Sequence, residues 1–552
     1  MKKIYIAFAL SFVSASIFAQ SAIDAYRFSQ PDLRGTARFM SMGGAFGALG
    51  GDLSTLSQNP AGIGVYRSNE IGFTLDLDMQ SSNSQSTGFS TNDKQTKFFL
   101  DNIGGVATLR LNNSVLQNLN FGFTYNKGAS FSRRYKGNIG LQNSLSNYIA
   151  GIANDEHLTV ADVAYADNYD PYNPNDGGFA ASWLPILGYD SYLINPVGDV
   201  NNPQWVGQFG AGTKGVGIFD IEESGSIDEY NIALGGNINN KVYWGMNFDI
   251  INFDYHLDAI WGEHLENAYI YNPATRDIEQ SSTNWRVGNL YRVKGTGFNY
   301  QLGLIVKPIQ ELRIGFAFHT PTWYAMSEDF FASASANYYG EQVNRSTNDG
   351  RFGSNSYNFR SPWKIIASVA GVLGTSCIIS ADYEWNGYNT MKFYEPTSYG
   401  SSWGYDWGYY SAYTRSLEYD EFKETNKDVT NIYRGTNTLR LGAEYRVTPN
   451  FSVRAGYSFV SSPVKADAAN NKQLIYTAGT LHNYRFDNTT NYVTCGVGYK
   501  YHGFYADLAY VYKHMNSEYH AFTPDPGSSI QSPQASVGFN NSRLVLSMGY
   551  KF

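Results

Sequence analysis

Residues 439–459 read Leu-Arg-Leu-Gly-Ala-Glu-Tyr-Arg-Val-Thr-Pro-Asn-Phe-Ser-Val-Arg-Ala-Gly-Tyr-Ser-Phe. Leu439, Leu441, Ala443, Tyr445 and Val447 share one parity. Arg440, Gly442, Glu444 and Arg446 share the other. Strand side chains point alternately to opposite faces, so this run has one apolar and one polar face. A second strand follows at 451–459, after a connection of only 448–450.

The same period recurs along the chain. Ile71, Phe73, Leu75, Leu77 and Met79 alternate with Gly72, Thr74, Asp76 and Asp78, and Leu119, Phe121, Phe123 and Tyr125 alternate with Asn120, Gly122 and Thr124. Fourteen segments result: 71–79, 103–112, 118–126, 230–238, 242–250, 298–306, 312–318, 363–373, 377–385, 439–447, 451–459, 493–501, 504–512 and 544–552. Most have the length of a tilted strand crossing a bilayer, roughly 9–11 residues. Their charges are Asp76, Asp78, Arg110, Asp249, Arg313, Lys364, Asp382, Glu384, Arg440, Glu444, Arg446, Arg454, Lys500, Asp507 and Lys551. All take the parity opposite the large apolar side chains. Lipid demands this, because an Arg or Lys at the midplane costs about 2–4 kcal/mol. The signs are mixed, which suits internal ion pairs and a tethered plug better than an ion-selective pore.

Connection lengths carry a second signal. Connections 113–117, 239–241, 307–311, 374–376, 448–450 and 502–503 are short. Connections 80–102, 127–229, 251–297, 319–362, 386–438, 460–492 and 513–543 are long. Strict alternation of short and long is the pattern of outer-membrane barrels, with turns on the periplasmic side and loops outside. The expected fold is all-β: a 14-stranded antiparallel transmembrane barrel over 71–552, with both termini on the periplasmic side of a Gram-negative outer membrane. Phe552 ends the last strand as an outward aromatic, where the barrel-assembly machinery would read it.

Composition agrees. Aromatic residues make up 16% of 552 residues, charged residues 16%, and net charge is −8. Mean hydropathy is −0.35, which excludes a polytopic helical membrane protein. No basic surplus exists to neutralise phosphates, which argues against nucleic-acid binding. The uncharged stretch 365–381 reads as two strands meeting at Gly374-Thr375-Ser376 rather than as a spanning helix. Cys377 and Cys495 read as small apolar side chains on strands. Residues 1–19 carry Lys2 and Lys3, an apolar run and Ala19, which is the form of a secretory signal peptide.

Residues 20–70 do not alternate. They contain Met42-Gly43-Gly44-Ala45-Phe46, Gly50-Gly51-Asp52 and Asn59-Pro60-Ala61-Gly62. Small residues allow close backbone approach, and Pro60 fixes one dihedral. A segment of this kind fits inside the lumen as a plug.

The stretch from Met42 to Gly62 resembles the N-terminal hatch of the FadL/TodX outer-membrane transporters of fatty acids and aromatic hydrocarbons. Residues 303–321, 438–459 and the chain's end are similar to that family too, and Asn59-Pro60-Ala61 is the most specific match. The resemblance implies that Asn59, Pro60 and Ala61 belong to a lumen plug. It implies passive diffusion of an apolar ligand through plug rearrangement, with a side opening at a kink in the third strand. Gly128, after Lys127, is where such a break would fall. The long loop 127–229 has no counterpart in the resemblance.

Other chemistry is weak. The eight histidines lack metal-ligand spacing and read mostly as polar loop residues. Asp167–Gly177 is rich in oxygens but lacks the order of a calcium loop. No nucleophile motif is present, and no enzymatic role, metal or cofactor is expected. Tyr399, Trp403, Tyr405, Trp407 and Tyr409 form an aromatic cluster. It reads as an aromatic girdle at the lipopolysaccharide boundary or as a landing surface for an apolar ligand. The functional expectation is passive uptake of hydrophobic small molecules, long-chain fatty acids or aromatic hydrocarbons. The alternative is a surface receptor or adhesin binding haem or protein through 127–229.

Overall fold

Fourteen antiparallel strands close into one barrel. They are β1 Glu70–Ser86, β2 Phe89–Arg110, β3 Leu116–Ser130, β4 Lys214–Ile238, β5 Val242–Asn272, β6 Asp277–Val306, β7 Leu312–His319, β8 Lys364–Leu373, β9 Cys377–Asn386, β10 Thr436–Arg446, β11 Phe451–Val460, β12 Tyr484–Tyr501, β13 Phe504–His520 and β14 Gln534–Lys551. This computed structural model describes residues 20–552 except 31, 112–114, 173–180, 273, 340, 375, 397–420 and 524–531. The leader 1–19 and the aromatic cluster at 399–409 lie outside the described residues.

Each neighbour pairs antiparallel with the next, and β1 closes on β14 from Glu70↔Lys551 to Gln85↔Ser536. The parity read from sequence is the parity of the wall. Phe123, Ile232, Leu302 and Val493 are more than half exposed on the outer face. Asp76, Asp249, Asp382, Glu384, Arg454 and Asp507 are buried on the inner one.

Several long connections are strand rather than loop, which corrects the sequence reading. Residues 80–102 are nearly all hairpin, with β1 and β2 paired to Ser86↔Phe89. β5 and β6 run 31 and 30 residues, turning only after Asn272. The wall therefore rises well beyond any bilayer. β7 and β8 are short because Pro321 and Pro362 follow the one and precede the other, and Pro cannot donate to a ladder. Beyond these breaks, strands Trp323–Tyr338 and Gly353–Arg360 pair with each other and continue the wall beside β6.

Residues 131–213 cap the long-connection end with strand Arg133–Gly140, helices Leu145–Asp155 and Trp183–Asp190, and hairpin Asn195–Val206. One apolar cluster joins Leu145, Ile149 and Leu187 of this cap to Ile23, Ala25 and Phe28 of helix α1, Ala22–Arg27, and its cap. The two ends of the described chain do not share a face, contrary to expectation. Phe552 pairs with Asn69 at the short-turn end (3.0 and 3.1 Å). Gln20 is buried, and α1 lies at the opposite end against Tyr388 and Tyr433. The histidines also differ from expectation. His256, His264, His319, His514 and His520 lie on strands, and His319, His482 and His520 are buried.

Candidate functional site

The described residues between 28 and 66 pack against inward-facing residues of the wall. Helix α2, Ala37–Ser41, starts at Thr36, whose side chain accepts from Phe39 N–H. A 3-10 turn at Pro60–Val65 starts at Asn59, whose Oδ1 accepts from Ala61 N–H at 3.1 Å. Asn as N-cap with Pro at the first helical position satisfies exposed donors and presets φ. The same Asn59 donates through Nδ2 to the Gly47 carbonyl at 2.5 Å, which ties the two halves of the segment together. Gly43 and Gly44 take φ +62° and +75°, so the turn after α2 needs residues without a Cβ.

This segment sits on glycines of the wall. Gly245 and Gly303 face each other across β5 and β6. A Cβ on Gly245 would overlap the Pro60 carbonyl, and one on Gly303 would overlap Asn59 Oδ1. Gly442 and Gly456 pair across β10 and β11 in the same way, and a Cβ there would meet Met42 or Gly43 backbone. Met42 and Ala61 are fully buried. Gly62 packs against Gly50, and the adjacent Gly51 donates its N–H to the Gly62 carbonyl at 3.1 Å.

Wall side chains satisfy the segment's backbone. Asn118 donates to Tyr66 O (2.9 Å), Asn120 to Ile63 O (2.5 Å), Asn247 to Leu56 O (3.1 Å) and Arg313 to Leu49 O (2.7 Å). Gly47 N–H and Gln58 Nε2 both donate to Asp382 at 2.9 Å. Buried backbone groups need such partners. Charges add to this. Glu444 accepts from Arg38 (2.9 and 3.2 Å) and from Arg454 (2.6 Å).

The densest ionic cluster surrounds Arg34. Its guanidinium reaches Asp32 (3.0 Å), Asp76 (3.1 Å), Asp78 (3.3 Å) and Asp101 (2.7 Å), and its side chain is 1% exposed. Asp32 also meets Arg543 (2.5 Å) and Lys513 (3.2 Å). Burial alone would push the Asp32 carboxyl up. Arg543, Lys513 and Arg34 instead hold it well below the usual carboxylate range.

Arg34 stands where the wall changes. Asp101 sits at a bulge in β2, since Thr74 pairs with Asn102 and Leu75 with Leu100. The β2–β3 ladder ends one residue on, at Asn102↔Asn126. Above it, β3 stays with β4 through a second bulge at Gly128, between the pairs Lys127↔Asp228 and Ala129↔Ile227. Strand Arg133–Gly140 pairs with β4 and meets β2 only through side chains, as in Arg134–Asp93 at 3.3 Å. The ladder joining β2 to its neighbour is thus interrupted beside Gly128. Phe99 stands at this edge, under the Arg34 guanidinium at 4.9 Å and Lys127 Nζ at 5.6 Å. Between segment and wall lies a cavity of about 210 Å³, lined by Phe28, Gln58, Gly128, Glu229, His319 and Arg440 among others.

The sequence reading names Met42–Gly44 and Asn59–Gly62 as hatch residues and Gly128 as a break in the third strand; Met42, Gly43, Asn59 and Pro60 pack on inward glycines of the wall, and Gly128 lines the cavity. It missed Arg34, Asp101 and the wall glycines. It also weighed inward charges but overlooked the inward Asn118, Asn120 and Asn247, which donate to carbonyls of the segment.

A closed 14-stranded antiparallel barrel with an apolar outer face is the architecture of an outer-membrane transport barrel. Residues 226–501 match the family described as outer membrane protein transport protein (OMPP1/FadL/TodX), and the chain belongs to that family. Among solved structures, a Pseudomonas aeruginosa FadL homologue aligns with TM-score 0.50 at 12% identity, over 95% of this chain and 100% of that one. The P. putida toluene transporter TodX aligns at 0.47 and 12%, over 94% and 99%. The Ralstonia pickettii toluene transporter TbuX aligns at 0.44 and 14%, over 94% and 99%. No curated protein matches the chain.

Proposed function

We propose that this barrel admits hydrophobic small molecules, with residues 20–70 acting as a hatch. Support comes chiefly from one conjunction: a segment seated in the lumen, a cavity beside it, and an interrupted ladder at Gly128 bordering that cavity. An apolar solute gains about 25 cal/mol for each Å² it removes from water. Leaving sideways between β2 and β3 would deliver it to lipid without crossing the polar rim. The cavity is about 210 Å³. A long acyl chain needs more, so its passage requires the hatch to shift. Asn59, Pro60 and Ala61 form the corner about which it would shift, supported by Met42, Gly43, Gly44 and Gly62. Tyr399, Trp403, Tyr405, Trp407 and Tyr409 serve as the external capture surface in this reading. Short turns face the periplasm and the 131–213 cap faces outward.

The test replaces Asn59 and Pro60 together with Ala. Uptake of a labelled long-chain fatty acid, and of toluene in parallel, should change while folded barrel remains near the unmodified level. Uptake of both solutes that is the same in the unmodified strain, the variant and a deletion strain would instead favour a receptor that binds through 127–229.

A further inference from the structure

Most charges bordering the lumen cavity are matched. Lys127 holds Asp228 at 2.9 Å, and Arg440 and Lys364 share Glu384 at 2.9 and 3.8 Å. Asp32 and Arg34 belong to the Arg34 cluster. Glu229 of β4 also lines the cavity, and among the described residues its carboxylate has neither a hydrogen bond nor an ion pair. Lys364 acts on it through space from beyond ion-pair distance. A Cβ on Gly128 would come within 2.7 Å of Glu229 Oε1, so the glycine at the β3 bulge leaves this carboxylate its place.

Two further unmet groups on the cavity are acceptors. Gln58 Nε2 donates to the Gly44 carbonyl (2.7 Å) and to Asp382 (2.9 Å), and Gln301 Nε2 donates to Asp249. Those partners only accept, which fixes both amides. Gln58 Oε1 and Gln301 Oε1 are then buried acceptors without a partner among the described residues. Asp249 itself is held by the amides of Asn231, Asn247 and Gln301 rather than by a cation. Phe28, Ile227, Ile251 and Tyr324 supply the apolar side of the cavity.

An unpaired carboxylate with spare acceptors and aromatic walls is complementary to a cation that donates hydrogen bonds and carries an apolar body. We propose that the cavity recognises a protonated primary amine of this kind, with its nitrogen at Glu229 and its body against Phe28, Ile251 and Tyr324. The assignment rests on the reading of the lumen as the ligand's place and names the ligand's class. A carboxylate ligand would meet like charge here, and a bare hydrocarbon would leave Glu229 unpaired in a closed site.

The test uses the folded full-length barrel in a non-ionic detergent at neutral pH, titrated by calorimetry with three ligands of one skeleton: phenethylammonium, phenethyl alcohol and phenylacetate. The unmodified barrel should bind one phenethylammonium at least about tenfold more tightly than the alcohol or the acid. Glu229→Gln should lose that preference and still hold the alcohol as the unmodified barrel does. Glu222→Gln, exposed on the outward parity of the same strand, should keep it. Crystals of the unmodified protein with para-bromophenethylammonium should give anomalous signal beside Phe28 and Tyr324. Equal affinities for the three ligands in the unmodified barrel would overturn the site, as would a preference that Glu229→Gln leaves intact. Displacement of the amine by millimolar potassium or calcium would make this an inorganic-cation site and also overturn it. A preference for the amine with no flux of it across planar bilayers would keep the site and remove the uptake reading. Flux of toluene or fatty acid with no preference for the amine would do the reverse.

Discussion

Replacing Arg34 with Met tests whether ionic contacts hold the lumen segment in place. Arg34 Nη1 touches Asp76 of β1 and Asp101 of β2, both fully buried, and Nε touches Asp32 of the segment itself. Removing one partner from a buried ion pair costs about 3–5 kcal/mol, because the remaining charges lose compensation. Asp32 keeps Arg543 and Lys513, and Asp78 keeps Arg543 at 3.4 Å. Asp101 then loses its ion-pair partner and Asp76 keeps only the more distant Arg543, and both lie on the wall. Water entering to solvate them must displace the segment, so the cost falls on docking rather than on the strand ladder. At 1.4 kcal/mol per tenfold, 3–5 kcal/mol raises the undocked population by between about 10² and 4 × 10³. Planar-bilayer recordings should show frequent openings where the unmodified barrel is nearly silent, with the same heat-modifiable mobility. Arg34→Lys, one point charge in place of a planar fork, should fall between them. Asp76→Asn with Asp101→Asn in the Arg34→Met background should restore much of the silence, since the repulsion is then gone. An Arg34→Met barrel as quiet as the unmodified one, and equally folded, would refute the argument.

Gly303→Leu should eject the Asn59 corner from its seat and raise conductance, because the new side chain overlaps Asn59 Oδ1 and Pro60. Bilayer recording checks this, with Gly371→Leu, which meets nothing within 4 Å, as the silent control. The contribution of Asp32 to docking should be complete above about pH 4 and be lost only below it. Asp32 has a depressed folded pKa, so its contribution is complete above the ordinary carboxylate value and disappears as pH falls toward the lower folded one. Protease protection of residues 20–66 across that range measures it. A protease-sensitive tag at Asn348 or Asn201 should be cut on intact cells and one at Asn240 or Asn450 should not; the reverse pattern would invert the orientation. Deleting Phe552, an exposed ring stacked 5.7 Å from Tyr550, should lower the amount of assembled barrel, read as heat-modifiable protein in outer-membrane fractions.

The transmembrane wall was legible because lipid outside and polar lumen inside impose contrast at every second residue. That contrast ends where the strands leave the membrane. Ser81, Ser82, Asn83, Ser84 and Gln85 belong to β1, but water on the outside and polar neighbours within leave no apolar parity to read. The hairpins 80–102 and 251–297 consequently looked like loops. β5 hid for a further reason: its upper half is buried by the cap, as with Tyr255, Leu257, Ala259 and Trp261. That burial belongs to tertiary packing with residues far away in sequence.

In the lumen, one half of each contact was visible. Gly43, Gly44 and Asn59-Pro60 stood out because turns demand those residue types. Their seats, Gly245, Gly303, Gly442 and Gly456, sit on the polar parity of strands, where glycine merely reads as non-apolar. A signal existed for one pair, since Gly442 and Gly456 are equidistant from the 448–450 turn and so must face each other. Arg34 could not be found this way, because its four carboxylates come from the segment, from β1 and from β2. Its position nevertheless carries the argument furthest. Asp101 is the bulge residue next to the last β2–β3 rung, and Phe99 beside it lies under the same guanidinium. A hatch that moves Arg34 must therefore change the environment of the β2 edge at the same moment. In the proposed route, lumen and side opening would share a residue, and coupling between them would follow from contact, with no relay through the rest of the barrel.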